Sequence, residues 1–342
     1  MGADRINRRW VLAKRPVGEP TEDCFELQEG PAPQLAEGEI LVEVHFLSLD
    51  PYMRGRMRDA KSYAEPLKIG EVITGESAGV VIDSKSEQWS TGDTLTIHQG
   101  WQSLIATAGD SPSLLPADTT LAPLSAWLGV LGMPGRTAYF GLQRVGKPKA
   151  GETLVVSAAS GAVGSVVGQI GKIRGLRVVG VAGGPEKCTY CTDELGFDAC
   201  IDYKAGNLEE NLAAACPDGV DIYFENVGGE VTRAVSRLLN PGARVPICGF
   251  VSLYNSEERM EDVETPFTVL ANLPTPPEHR FFLVREWYDE WLDGSRELAR
   301  WIQSGKLKYR ETISDGIESA PAGFRGLLNG ENFGKQLVRI AS

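Results

Sequence analysis

The hydrophobic pattern is clearest in residues 153–187, where it predicts a strand, a turn, a helix and a second strand in succession. Residues 154–156 form a short apolar run without polar alternation, as is typical of a parallel strand buried on both faces. Glycines follow almost at once, and a helical pattern begins near Ala162. Residues 177–182 are apolar again. This order predicts a β-α-β unit.

The chain before this unit has a different pattern. Residues 40–46 begin apolar and then alternate, residues 72–81 are rich in Gly and β-branched side chains, and residues 92–97 follow a turn. Short strands separated by Pro and Gly predict a compact, barrel-like, mostly β domain. Residues 132–142 then begin a helix with Pro134 in its first turn, and we place the domain boundary there.

Further strands are predicted at residues 199–203, 220–229, 243–250 and 281–284, an acidic loop at 257–267, and an amphipathic helix at 286–306. The fold class is therefore α/β, with a doubly wound parallel sheet and a second, mostly β domain. The tail at 330–340 ends in a strand that we expect to return to the first domain. The expected domains are 1–131 with 307–342, and 132–306.

Glycine-bearing turns follow several of these strands. In a doubly wound sheet, ligands bind outside the carboxyl ends of the strands, so Gly161, Gly183, Asn226 and Gly249 should face one crevice. Gly161 and Gly164 allow a tight bend, and the helix that follows offers free N–H groups and a positive dipole end to a pyrophosphate. The sequence therefore predicts a dinucleotide site.

The second strand lacks the carboxylate that usually binds the adenosine ribose, since residues 183–187 read Gly-Gly-Pro-Glu-Lys. Its absence favours a phosphorylated ribose, with Lys187 as the point charge and Gly183 leaving room for phosphate oxygens. The predicted cofactor is NADP, as NADPH. If Glu186 rather than Lys187 faces the ribose, NAD is preferred instead.

Composition excludes several classes of partner. The chain has 342 residues and a formal net charge of −12 spread over short acidic patches, which argues against nucleic acid and anionic membranes. No apolar stretch reaches membrane-spanning length, and no charged-then-apolar leader begins the chain. We therefore expect a cytoplasmic protein whose partner is a small molecule.

The six cysteines lack the density of a disulfide scaffold, and the three histidines are far apart in sequence. Only Cys188 and Cys191 lie close together, within a predicted helix and without a second pair. A metal or redox role for this pair is one interpretation, and structural thiols are the interpretation we favour. No metal site is predicted.

Two tyrosines are candidates for catalysis. Tyr52 follows Pro51, which stiffens the backbone before it, in a segment between two predicted strands. Tyr254 follows the strand end at residue 250, within reach of a nicotinamide ribose. For both residues, simple packing is the competing interpretation.

The order of β domain, nucleotide-binding domain and returning strand resembles the medium-chain dehydrogenase/reductase superfamily over nearly the whole chain. The zinc alcohol dehydrogenases of this superfamily carry metal ligands at the positions that match residues 48–50 and 75–79, and these ligands are missing here. The four-cysteine lobe that binds their structural zinc is missing as well. Six motifs resemble the zinc-independent branch that contains prostaglandin reductase, leukotriene 12-hydroxydehydrogenase and 2-alkenal reductase. They lie at residues 48–57, 132–139, 158–165, 225–229, 254–255 and 331–335. This resemblance implies a Rossmann domain, a GroES-like barrel domain and a homodimer.

The resemblance also implies roles for individual residues. It places Ala162, Val163, Gly164 and Ser165 on the pyrophosphate, and Lys187 and Tyr203 at the ribose phosphate. Along the rest of the dinucleotide it places Asn226, Cys248, Gly249, Ser252, Tyr254, Met133, Thr137, Phe282, Leu283, Val284 and Asn332. Tyr52 matches a tyrosine that lies beside the substrate in some relatives. Glu76 occupies the position at which plant relatives carry a second tyrosine near the substrate.

The implied reaction is NADPH-dependent reduction of the C=C bond of α,β-unsaturated ketones and aldehydes. Negative charge then develops on the carbonyl oxygen and must be stabilised by hydrogen-bond donors. We hypothesise that Tyr254 fixes the ribose and assists this stabilisation, while water or Tyr52 protonates the α-carbon. The alternatives are a quinone reductase, an alcohol dehydrogenase and a non-catalytic NADPH-binding protein.

Overall fold

The computed structural model describes residues 5–60, 64–257 and 262–341. Its strands, in chain order, are β1 (Ile6–Leu12), β2 (Phe25–Pro31), β3 (Glu39–Ser48), β4 (Ser77–Ser84), β5 (Thr94–Ile97), β6 (Leu104–Ala108), β7 (Leu115–Pro116), β8 (Thr153–Ser157), β9 (Arg177–Ala182), β10 (Ala199–Asp202), β11 (Val220–Phe224), β12 (Leu239–Ile247), β13 (Glu278–Phe281), β14 (Glu311–Asp315) and β15 (Lys335–Arg339).

Its helices are α1 (Tyr52–Arg56), α2 (Met133–Phe140), α3 (Gly164–Ile173), α4 (Pro185–Thr189), α5 (Leu208–Ala215), α6 (Gly229–Ser236), α7 (Pro266–Ala271), α8 (Trp291–Gln303) and α9 (Ala320–Leu328). Among the residues described, no helix is both long enough and apolar enough to span a bilayer.

The chain divides into two compact units, Met1–Gly129 with Glu311–Ser342, and Val130–Arg310. In the first unit the main sheet has the order β14-β15-β3-β4-β5-β7, with β6 also paired to β3. All of its pairs are antiparallel except β14 with β15. The expected tail strand is β15, which lies between β14 and β3.

The second unit contains a six-stranded sheet in the order β10-β9-β8-β11-β12-β13, with every pair parallel. This is the doubly wound order in which the first strand, β8, lies at the centre and the connections reverse between β8 and β11. All five residues of β8 are buried, because helices cover both faces of such a sheet. The α/β fold class, with one parallel-sheet unit and one mostly antiparallel unit, is confirmed.

Several element boundaries differ from those predicted. Helix α3 begins at Gly164 instead of Ala162, because residues 161–163 form the turn that leads into it. The amphipathic helix begins at Trp291, and residues 284–290 form tighter turns in which Trp287 stacks on Phe140 at 5.7 Å between ring centroids. Within the predicted loop at 257–267, residues 258–261 lie outside the described residues, and Pro266 already begins α7.

Candidate functional site

The turn between β8 and α3 is built for close approach of a ligand to the backbone. Ala158 has a φ of +51°, a left-handed conformation that is costly for a residue with a side chain. A Cβ added at Gly164 would lie 2.3 Å from the carbonyl oxygen of Ala158, so only glycine fits there. Gly161, Ala162 and Val163 are partly exposed on the turn, and Ser165 is buried in the first turn of α3. The N–H groups of Ser165 and Val167 donate to the carbonyl oxygens of Gly161 and Val163, both at 3.0 Å, so the turn leads directly into α3. The positive end of the helix dipole therefore lies at the turn, where it suits an anion.

A second turn is formed by the ends of β9 and β10. Because Ala182 pairs with Asp202, the residues that follow these strands meet at the same edge of the sheet. A Cβ added at Gly183 would lie 2.9 Å from Cε1 of Tyr203 and 3.0 Å from Cε of Lys204. The Tyr203 and Lys204 side chains therefore pack directly over the Gly183 backbone.

Lys187 lies on α4 beside this turn, and its environment suits an anion. The pKa of Lys187 is lowered, first by burial and then by the positive charge of Lys204. Glu186 is exposed, whereas Lys187 is half-buried. Two adjacent cations repel each other, and a bound phosphate would relieve that repulsion. These residues fit the extra phosphate of NADP.

Sequence reasoning missed Lys204, although it directly follows the predicted Tyr203. It also missed the carboxylate of Asp202, which lies at the same turn. Oδ1 of Asp202 accepts hydrogen bonds from the backbone N–H groups of Gly184, at 2.8 Å, and of Lys204, at 2.9 Å. This carboxylate therefore shapes the turn through the backbone.

Asn226 lies at the end of β11, adjacent to β8, and is held against Ser157. Its backbone N–H donates to Oγ of Ser157 and its side-chain Nδ2 donates to the carbonyl oxygen of Ser157, both at 2.8 Å. The fully buried Glu225 accepts hydrogen bonds from the N–H groups of Val227, at 2.7 Å, and Gly228, at 3.0 Å, and from the Thr232 hydroxyl. Glu225 was not singled out from the sequence, yet it organises this turn.

The end of β12 lies next to Glu225 and carries four further predicted residues. The N–H of Cys248 donates to the carbonyl oxygen of Glu225 at 2.9 Å, and burial raises the pKa of the Cys248 thiol to about 12, so it stays protonated. Oγ of Ser252 donates to the carbonyl oxygen of Val227 at 2.6 Å. The Tyr254 hydroxyl lies 2.8 Å from the position of a Cβ added at Gly249, so it folds back over this strand end.

The remaining predicted residues of this unit lie on α2 and after β13. Oγ1 of Thr137 donates to the carbonyl oxygen of Met133 at 2.7 Å, which places both residues on one face of α2. Phe282 is only 2 % exposed and its ring packs on Phe224 at 6.0 Å, so its side chain belongs to the core. Leu283 directly precedes the turns that begin at Val284, and its N–H donates to the carboxylate of Glu286.

In the first unit, Tyr52 opens α1 directly after Pro51. The preceding turn is anchored by a buried ion pair, in which Nζ of Lys335 lies 2.7 Å from Oδ1 of Asp50 and also donates to the carbonyl oxygen of Leu49. The Tyr52 hydroxyl lies 3.0 Å from Nε2 of His98. Neither the ion pair nor His98 was identified from the sequence, because both depend on pairing between distant strands.

Two further residues of interest lie in this unit. A Cβ added at Gly75 would lie 2.9 Å from Cε of Met53 and 3.1 Å from the Trp101 ring, so the backbone before Glu76 is tightly packed. Nδ2 of Asn332 donates to the carbonyl oxygen of Gly334 at 2.7 Å in the turn before β15.

Two of the cysteines that lie close together in sequence are buried thiols. Cys188 and Cys191 are buried, and burial raises the pKa of the Cys188 thiol to about 12. Within residues 5–60, 64–257 and 262–341, no group of three or more His, Cys, Asp or Glu side chains could hold a metal ion.

Comparison with known proteins agrees with the fold. Two family models match, one described as the N-terminal domain of oxidoreductase over residues 8–114 and one described as zinc-binding dehydrogenase over residues 162–272. The chain is 48 % identical over 338 residues to the NADPH-dependent curcumin reductase of Escherichia coli (strain K12), covering 98 % of this chain and 97 % of that protein. It is 42 % identical over 334 residues to prostaglandin reductase 1 of Oryctolagus cuniculus, covering 96 % and 92 %.

The fold is also similar to the crystal structure of CurA from Vibrio vulnificus in complex with NADPH. The TM-score is 0.91, with 46 % sequence identity over 98 % of this chain and 99 % of that one. Since these similarities extend over nearly the full length of each protein, the chain belongs to the zinc-independent prostaglandin reductase branch of the medium-chain dehydrogenase/reductase superfamily.

Proposed function

We propose that this protein is an NADPH-dependent reductase of the C=C bond in α,β-unsaturated ketones and aldehydes. The observation that carries the proposal is its full-length similarity to reductases named for curcumin and prostaglandin substrates. The paired cations Lys187 and Lys204 at the second turn support the phosphorylated cofactor.

The cofactor would be held by three parts of the parallel-sheet unit. The turn from Gly161 to Ser165, which lies at the positive end of α3, would bind the pyrophosphate. Lys187, Lys204 and Tyr203 would bind the ribose phosphate through charge and hydrogen bonds. Residues after β11 and β12, including Asn226 and Ser252, would line the rest of the molecule.

When bound, NADPH supplies the hydride that reaches the β-carbon of the substrate. Side chains of the protein would then stabilise the negative charge on the carbonyl oxygen and supply the proton. The hydroxyl of Tyr254 would donate to the ribose and help to stabilise the anionic carbonyl oxygen, and Tyr52 would deliver a proton to the α-carbon. Asn332, which the family resemblance places near the nicotinamide, stays a prediction, as does the role of Glu76 in shaping the substrate pocket.

The test is a panel of enones, enals and quinones in which NADPH consumption is followed by absorbance. Turnover of enones, with the saturated ketone as product, supports the proposal. Turnover of quinones alone would identify a quinone reductase, and NADPH binding without turnover of any compound would identify a non-catalytic binding protein. Either result would overturn the proposal.

A further inference from the structure

Tyr52 and His98 form a hydrogen-bonded pair within the first unit. The Tyr52 hydroxyl lies 3.0 Å from Nε2 of His98, and the two rings are nearly parallel, with 22° between their planes and 6.5 Å between their centroids. Tyr52 is the first residue of α1, and His98 directly follows β5. The distance is short enough for a proton to pass between these atoms.

Both residues are held by fixed backbone. The buried Asp50–Lys335 ion pair anchors the turn before Tyr52. On the other side, the N–H of Gly100 donates to the carbonyl oxygen of Gly75, and the N–H of Trp101 to that of Ile73, each at 2.9 Å. The fold therefore sets the positions from which the two side chains meet.

The charges around His98 favour a neutral ring. Its pKa is lowered because the surrounding protein disfavours the imidazolium and the cation of Arg56 opposes it, and these effects outweigh the carboxylate of Asp50 and a backbone hydrogen bond. A neutral imidazole has one N–H and one lone pair, so it can donate at one nitrogen while accepting at the other. Part of the His98 residue nevertheless remains exposed to solvent, which gives water access to the ring.

We propose that His98 supplies the proton that Tyr52 loses to the substrate. Hydride forms a C–H bond at the β-carbon, the C=C π bond breaks, and the Tyr52 proton forms the C–H bond at the α-carbon. The Tyr52 oxygen takes the proton from Nε2 of His98, while Nδ1 takes one from water. One hydride and one solvent proton are thus added to the substrate, and the water that gave up its proton is left as hydroxide. Proton exchange with water then moves the ring proton from Nδ1 back to Nε2, so that both side chains end the cycle neutral and as they began. This inference rests on the proposed function.

His98→Gln is the informative variant, because a glutamine amide can donate a hydrogen bond to Tyr52 but cannot pass a proton on. We expect kcat with an enone to fall roughly 10- to 100-fold, with NADPH affinity unchanged. The solvent deuterium isotope effect on kcat should rise, since protonation becomes slower than hydride transfer. His45→Gln is the matched control, because the ring of His45 lies 3.8 Å from Glu43, and it should leave kcat unchanged.

A double-mutant cycle tests whether His98 acts through Tyr52. In a Tyr52→Phe background, His98→Gln should cause no further loss of kcat, because the proton path is already broken. Additive losses, or full activity of the single His98→Gln variant, would overturn the relay and leave the reductase proposal standing. Absence of wild-type turnover on every enone would instead overturn both.

NMR of protein with ¹⁵N-labelled histidine provides a readout that needs no turnover. The chain has three histidines, so single variants assign their signals. We expect His98 to be neutral at pH 7 with its proton on Nε2, and its ring nitrogen shifts to change in Tyr52→Phe. An imidazolium, or a neutral ring with its proton on Nδ1, would contradict the relay.

Discussion

Lys187 and Lys204 are the residues that we propose to be responsible for the preference for NADPH. They come from α4 and from the segment after β10, and the register of β9 with β10 brings them together at one turn. Burial and the positive charge of Lys204 lower the pKa of Lys187, and a bound anion would offset the repulsion between the two cations. Gly183, which has no side chain, leaves room beside these lysines for phosphate oxygens.

At this site we expect Lys187→Ala to weaken NADPH binding much more than NADH binding. A charge-assisted contact contributes roughly 1.5–3 kcal/mol, equivalent to about tenfold or more in the dissociation constant. Isothermal titration with each nucleotide measures the difference. Lys147→Ala is the control, because Lys147 pairs with Glu278 at 2.9 Å on the surface. Equal losses for the two nucleotides would show that Lys187 does not bind the phosphate.

Tyr254→Phe removes only the hydroxyl that lies over Gly249. We expect kcat with an enone to fall by more than a few-fold, because the developing anion loses a donor, while the fold is unchanged. Steady-state kinetics measure this loss. Tyr288→Phe is the control, because Tyr288 is 41 % exposed and packs on Trp291. Unchanged kinetics in Tyr254→Phe would remove Tyr254 from the mechanism.

At the scale of elements, the segment before α1 depends on β15. Lys335 and Asp50 are almost fully buried, with side chains 4 % and 5 % exposed, and their ion pair ties the end of β3 to the start of β15. The Ser48 hydroxyl also donates to Asp50. A buried charge that loses its partner is strongly destabilising, because water cannot replace it.

We therefore expect Lys335→Met to lower the free energy of unfolding by about 3–5 kcal/mol. Urea denaturation of the variant and the wild type gives the difference. The double variant Asp50→Asn with Lys335→Met should recover part of the loss, because it leaves no unpaired charge. Lys14→Ala, which breaks the exposed pair with Asp23, should have little effect. A loss in Lys335→Met no larger than in Lys14→Ala would contradict this account.

The β8–α3 turn gives a second prediction at this scale. In Gly164→Ala, the new Cβ would meet the carbonyl oxygen of Ala158 at 2.3 Å, so the turn must shift. We expect a loss of about 1–3 kcal/mol in stability and weaker binding of both NADPH and NADH. Gly30→Ala is the control, because no atom lies within 4 Å of a Cβ added there. Similar binding by the two variants would show that the close approach at Gly164 is unimportant.

At the scale of the whole molecule, the acidic surface and the family membership bear on assembly. The net charge of −12 favours solubility, and the family resemblance implies a homodimer. We expect light scattering after size-exclusion chromatography to give twice the mass of one chain, unchanged between low and moderate salt because obligate interfaces are mainly apolar. A mass of one chain at micromolar concentration would contradict the homodimer.

Much of the architecture could be predicted from local patterns. The apolar run in β8 and the glycines after it were sufficient for the parallel sheet, because a strand buried on both faces needs no polar positions. Local patterns did not predict where α8 begins, because Trp287 fits the helical spacing but lies in a non-helical turn. Its stacking on Phe140 is a tertiary contact that periodicity does not encode.

The sequence alone predicted the fold class, because apolar periodicity and glycine spacing act over short stretches of chain, and its motifs indicated the family by resemblance. It also located the glycine turn after β8, which we propose as the dinucleotide site. Tertiary structure alone decided which groups meet at each strand end. It brought Lys204 to Gly183, Glu225 to the Asn226 turn, Lys335 to Asp50 and His98 to Tyr52. These contacts depend on strand order and register, which long-range packing sets and no local spacing specifies.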